Sequence, residues 1–236
     1  MMENICNIKE NVEIIRYEIG DTCAKIGRNP DDILLMGVSK TKTAQDVEAA
    51  IKAGITLFGE NRVQELVQKA EMFQKYNVPC HIIGNLQTNK VKYLPPLTNC
   101  IQSVDSLKLA AEIDKQYLKN GQIADILVEV NIGDEESKGG IQLNTAYEFI
   151  HQISEFKGLK VKGLMCVPPI CEGDMVRKYF AQMYQLFVDI QSKKVDNINM
   201  DILSMGMSDD YRYAIMEGSN LVRVGSKIFG RRNYNI

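Results

Sequence analysis

The sequence predicts a (β/α)8 TIM barrel with one extra N-terminal helix, and three observations lead there. Eight short β-rich runs recur along the 236 residues, segments of helical period lie between them, and each run is apolar nearly throughout. Strands without polar alternation are covered on both faces, and parallel neighbours need long crossover connections, so helices flank a parallel sheet. Eight such units suggest that the sheet closes on itself.

Taken in order, Ile8, Val12, Ile15 and Ile19 recur at helical spacing until GRNP (27–30) breaks the pattern, which sets one helix ahead of the first strand. The strand runs follow at 33–39 (ILLMGVS), 55–59 (ITLFG), 80–84 (CHIIG), 100–104 (CIQSV), 124–131 (ADILVEVN), 159–166 (LKVKGLMC), 200–205 (MDILSM) and 221–225 (LVRVG). Between them, Val63, Leu66, Val67, Ala70 and Phe73 make one apolar stripe, and Val176, Phe180, Met183, Phe187 and Ile190 make another. An open doubly wound sheet is the rival architecture. Its phosphate loop would be a glycine-rich turn after the first strand, and VSKTKT (38–43) has no glycine. No Pro/Gly/Ser-rich linker divides the chain, so residues 1–236 read as a single barrel domain, with RRNYNI (231–236) too short to form another.

Composition narrows the partners. Lys and Arg number 28 against 30 Asp and Glu, a formal charge of -2, which provides no strong field for nucleic acid or an anionic membrane. The first twenty residues are mixed and charged, unlike a leader, and no segment approaches the ~18 apolar residues of a membrane span. The expectation is a cytoplasmic protein with a small-molecule partner. Six cysteines lie scattered without a Cys-x-x-Cys pair, and only His81 and His151 are present, so reduced thiols are expected and a metal site is not.

Barrel chemistry sits at the C-terminal ends of the strands, and the unusual residues of this chain fall there. SMGMS (204–208) and RVGSK (223–227) place Gly and Ser after the last two strands, where barrels build phosphate sites from backbone amides and hydroxyls. Ser208, Asp209 and Asp210 look like a helix start that would aim its amides at the same phosphate. Arg223 interrupts an apolar strand, and a buried guanidinium is costly unless paired, so it is either a structural ion-pair partner or a ligand contact. Lys40 ends the first strand. A partly desolvated lysine beside a phosphate site and other cations can attack an aldehyde and form an imine, and pyridoxal phosphate carries both an aldehyde and a phosphate. Lys42 has the same strand parity, and spacing does not choose between the two.

LLMGVSKTK, FGENRVQE, HIIGNLQTNK, KGLMC and LSMGMSDDYRYAIMEGSNLVRVGSKIFGRR resemble, in order and across nearly the whole chain, the pyridoxal phosphate homeostasis proteins. That vitamin B6-binding family is related to the N-terminal barrel of alanine racemase. Thr43 stands where many members have proline, and both residues suit a helix start. The resemblance implies a barrel that binds pyridoxal 5'-phosphate covalently, with Lys40 as the Schiff-base lysine. Ser204, Met205, Gly206, Gly225 and Ser226 would hold the phosphate, Asn61 would sit beside the cofactor, and Met165 would pack near its ring. Arg223 would face the pyridine nitrogen, which leaves the cofactor a weaker electron sink than an aspartate would.

The function so implied is intracellular carriage and regulation of pyridoxal phosphate, with PLP-dependent apo-enzymes as acceptors, no catalytic residue and no robust turnover. Lys42 and Lys138 could then flank the mouth and take the imine by exchange. The alternative is an amino-acid racemase, which needs an acid/base on each face of the substrate. In alanine racemase the opposite-face tyrosine comes from a second domain not found in these residues; Tyr211 and Tyr213 are the local candidates. A class I aldolase-type barrel is a third reading, and it leaves Arg223 unexplained.

Overall fold

The computed structural model describes residues 2–98, 100–171 and 173–230, the side chains of 2–6 excepted; the Cys6 thiol and RRNYNI (231–236) lie outside the described residues. The first helix, α1 (Met2–Ile26), buries Ile8, Val12, Ile15, Ile19 and Cys23 on one stripe. Each such aliphatic side chain contributes roughly 1.5–3 kcal/mol. A 3-10 turn (Pro30–Asp32), capped by Asn29, redirects the chain into the barrel.

The barrel elements then alternate. β1 (Leu34–Val38), α2 (Ala44–Lys52), β2 (Leu57–Glu60), α3 (Val63–Lys75), β3 (Cys80–Ile82), β4 (Cys100–Val104), α4 (Leu107–Lys119) and β5 (Ala124–Asn131) form the first half. β6 (Ile141–Gln142), α5 (Ala146–Ile153), β7 (Leu159–Cys166), α6 (Asp174–Ser192), β8 (Ile198–Ser204), α7 (Tyr211–Met216), β9 (Leu221–Val224) and α8 (Ser226–Phe229) form the second. Eight strands pair in parallel in the order β4-β3-β2-β1-β9-β8-β7-β5, and β4 pairs with β5 to close the ring. The eight apolar runs are these eight strands. β6 is a further two-residue strand beside the end of β5 that periodicity does not reveal. Between β3 and β4 a 3-10 turn (Thr88–Tyr93) stands where the repeat would place a helix.

Local chemistry explains the element boundaries. Thr43 caps α2: its hydroxyl accepts from the Asp46 amide, and the Asp46 carboxylate accepts from the Thr43 amide in return. The predicted α6 stripe is buried throughout; on α3, Val63, Leu66 and Phe73 are buried and Ala70 is half-buried, while Val67 is 50% exposed and Lys69 lies inward at 6%. Gly163 in β7 has φ 149, and a Cβ there would sit 1.8 Å from the Ile202 carbonyl oxygen. The β7 register shifts against β8 between Val161 and Gly163, so the strand is irregular where no side chain fits.

The main core lies between strands and helices, and a smaller apolar plug of Met36, Leu57 and Leu221 fills part of the barrel interior. α1 is tied to the end of the chain: Asn11 donates to the Ile228 carbonyl at 3.0 Å, and Arg28 donates to the Ile215 and Ser219 carbonyls at 2.9 Å each. Among the described residues no helix is long and apolar enough to cross a membrane, and no cluster could hold a metal ion.

Candidate functional site

A cavity of about 280 Å³ opens at the C-terminal ends of the strands, and Lys40, Lys42, Arg223, Gly225 and Ser226 share its wall. This is at the small end of ligand pockets, suited to one compact molecule.

Lys40 sits on a tight turn that ends β1. The Ser39 carbonyl accepts from the Lys42 amide at 3.0 Å, and Thr41, between them, has φ 66. A β-branched residue in the left-handed region costs about 1–3 kcal/mol, so the turn is strained. Lys42 shares the cavity wall, but its ammonium donates to the Phe229 carbonyl at 2.9 Å and to Gly230 at 3.4 Å. Lys138, in the loop after β5, donates to the Pro168 carbonyl at 2.9 Å and pairs with Glu135, tying that loop to the one after β7.

Across the cavity the last two loops are fastened together. The Met205 amide donates to Leu221 at 3.2 Å and the Arg223 amide to Gly206 at 2.9 Å, which carries the β8–β9 ladder past the end of β8. The Ser208 hydroxyl accepts from the Gly225 and Lys227 amides at 3.3 and 3.4 Å. The helix expected to start at Ser208 begins instead at Tyr211, because residues 208–210 form a turn and Asp210 accepts the Met207 amide at 2.5 Å.

Arg223 is 4% exposed, with its guanidinium inside the barrel. Burial pulls it below its ordinary value, opposed by Cys166, Glu129 and Asp210. It donates to Ser204, and the Ser204 hydroxyl donates to Gln102 Oε1 at 2.7 Å. The Gln102 amide nitrogen lies 2.9 Å from His81 Nδ1. Arginine can only donate, so the direction of the whole chain is fixed: His81 Nδ1 accepts, and the ring is neutral with its proton on Nε2. Burial supports this by pulling His81 down to about 4. Glu129 on β5 is pushed up to about 7 by burial and by Asp105, while Arg223 opposes.

Not every candidate reaches this cavity wall. Met165 and Ser204 are buried inside the barrel, in register with each other and with Glu129. The Ser204 hydroxyl accepts from Arg223 and donates to Gln102. Met205 is fully buried, and Gly206, at φ 92, lets α7 approach so closely that a Cβ would meet Ala214 at 2.6 Å. Asn61 lines a neighbouring cavity of about 630 Å³ with Arg62, Asn85 and Lys90. Sequence reasoning missed Gln102, Glu129, Glu60 and Lys69. Gln102 and Glu129 carried a usable signal, a polar residue inside an apolar strand, the same one that picked out Arg223.

Comparison with known proteins agrees with this architecture. Residues 7–233 match the family described as "Alanine racemase, N-terminal domain". The pyridoxal phosphate homeostasis protein of Aquifex aeolicus (strain VF5) is 39% identical over 229 residues, covering 97% of this chain and 100% of that one. The crystal structure of an unknown protein from Bifidobacterium adolescentis superposes with a TM-score of 0.91 at 30% identity, covering 96% of each chain. PipY of Synechococcus elongatus PCC7942, solved with PLP bound, gives a TM-score of 0.78 at 28% identity, covering 90% of this chain and 100% of that one.

Proposed function

On the premise that the chain belongs to the pyridoxal phosphate homeostasis protein family, we propose that it binds pyridoxal 5'-phosphate covalently through Lys40 and acts as a carrier and regulator of that cofactor, without robust turnover. The observation that carries this reading is the placing of Lys40, Arg223, Gly225 and Ser226 around one small cavity at the strand ends. When bound, pyridoxal phosphate supplies an aldehyde that condenses with a primary amine with loss of water, a ring nitrogen, and a phosphate. The donor set of this chain fits that group. Lys40 provides the amine at the tip of its turn. Gly225 and Ser226 provide the edge of a glycine-serine loop for the anion, with Met205 and Gly206 shaping the backbone beneath. Met165, buried in β7, and Asn61, on the wall of the neighbouring cavity, complete the proposed cofactor contacts.

Lys42, whose ammonium donates to two backbone carbonyls, is the alternative attachment point on the same wall. Arg223 keeps a fixed positive charge, and Ser204 holds it in place. A group that cannot give up its proton neither moves protons nor favours a protonated ring nitrogen, so carbanion chemistry is poorly supported. The two tyrosines considered for the racemase alternative are turned to other tasks: the Tyr211 hydroxyl is engaged with Glu18 on α1, and half-buried Tyr213 lines a different cavity. The family relationship makes apo-enzymes the natural acceptors of the cofactor.

The test is borohydride reduction of the loaded protein followed by peptide mapping. The adduct is expected on Lys40 and absent in Lys40→Ala; an adduct on Lys42 instead, or none, overturns the attachment. Racemase or transaminase turnover well above that of free cofactor would overturn the carrier reading.

A further inference from the structure

The strained turn under Lys40 is gripped from behind by a buried charge cluster. Lys69 on α3 donates to the Ser39 carbonyl at 2.7 Å, the same carbonyl that accepts the Lys42 amide and closes the turn. Its ammonium also donates to Glu60 Oε1 at 2.6 Å, and the Ser39 hydroxyl donates to that oxygen at 2.7 Å. A buried lysine is rare, and this one carries both partners needed to keep it charged. Glu60 Oε2 and Glu65 Oε2 are both buried without a donor.

We propose that Lys69, paired with the buried Glu60, is a positioning residue: it clamps the 39–42 turn and so places the Lys40 amine in the cavity. Strained backbone persists only where its surroundings over-determine it, and here Ser39 is held at its amide, carbonyl and hydroxyl at once. The groups facing Glu60 are Lys69 and Glu65 from α3, Ser39 from the turn after β1 and Cys80 from β3. Burial and then Glu65 push Glu60 up to about 7, while Lys69 and Ser39 pull it down. The functional consequence of the clamp rests on the proposed role of Lys40; the clamp itself does not.

Two readouts separate those layers. Hydrogen exchange of the Lys42 amide in ligand-free protein reports the turn, and borohydride-trapped adduct against pyridoxal phosphate concentration reports the lysine. Lys69→Met is expected to speed Lys42 exchange about tenfold and to weaken covalent binding about tenfold. Adding Thr41→Gly, which adopts a positive φ without strain, should recover most of the binding. Unchanged exchange in Lys69→Met, or no recovery in the double variant, overturns the clamp. If Lys69→Met does not fold, Ser39→Ala takes its place: about threefold faster exchange is expected, and no change overturns the proposal. No adduct on Lys40 in the unmutated protein overturns the cofactor reading and leaves amide exchange to decide the clamp.

Discussion

Arg223 Nη1 donates to both the carbonyl oxygen and the hydroxyl of Ser204, each at 2.7 Å, while Nη2 takes the Cys166 carbonyl at 2.8 Å. A permanent cation is thus held inside the barrel by neutral acceptors, with Glu129 as the nearby carboxyl that feels its charge. Replacing Arg223 by Met leaves those acceptors buried and unmatched. Equilibrium urea unfolding should show a loss of about 3 kcal/mol, read as a lower midpoint at unchanged slope.

His81 sets the acid behaviour of the same relay. Its folded pKa, about 4, lies below the ordinary 6.5, so the unfolded chain binds a proton in that window and the fold does not. The stability from a neutral His81 is complete above pH 6.5 and is lost as pH falls toward 4, by about 3 kcal/mol. His81→Leu abolishes this term and leaves the Gln102 amide without its acceptor. The variant should be less stable than the natural protein by roughly 1–3 kcal/mol at pH 7, and the difference should shrink or reverse near pH 4.

Glu129 works in the opposite sense. Its folded pKa, about 7, is above the ordinary 4.5, so the fold holds an extra proton between those values, and stability declines as pH rises from 4.5 through 7. Glu129→Gln fixes the neutral form. Natural and variant proteins should unfold alike below pH 4.5 and diverge above 7, where the variant should be the more stable by roughly 2–3 kcal/mol.

Gly163→Ala tests the irregularity in β7. The added methyl would meet the Ile202 carbonyl at 1.8 Å, where backbone and not a flexible side chain must give way. A loss of at least about 3 kcal/mol in thermal or urea unfolding is expected, and a folded, undisturbed variant would mean that the β7–β8 contact is looser than that distance implies.

The barrel was legible because its strands are written as apolar runs, and burial on both faces leaves that mark in any parallel sheet. Arg223 stood out for the same reason in reverse. Gln102 and Glu129 carried the same mark, yet their meaning lay across the barrel: Ser204 meets Gln102 at a separation of 102 residues, which no local pattern reports. Lys69 was illegible. A helix with Val67 in reach is expected to bury the valine, but Glu60 and the Ser39 carbonyl draw the lysine inward and turn Val67 out. Ser208 misled through its residue type, since its hydroxyl ties the two neighbouring loops together where a helix cap was expected.

The fastening of α1 bears on how the chain matures. Asn11 and Ile228 are 217 positions apart, and Arg28 reaches residues nearly as distant, so the first helix finds these partners only once the chain has been made through residue 228. Until then α1 has α2 to lean on and little else, and its apolar stripe waits for the carboxyl-terminal elements to emerge. Synthesis of the last strand and the helices around it is therefore the event that lets the amino end dock.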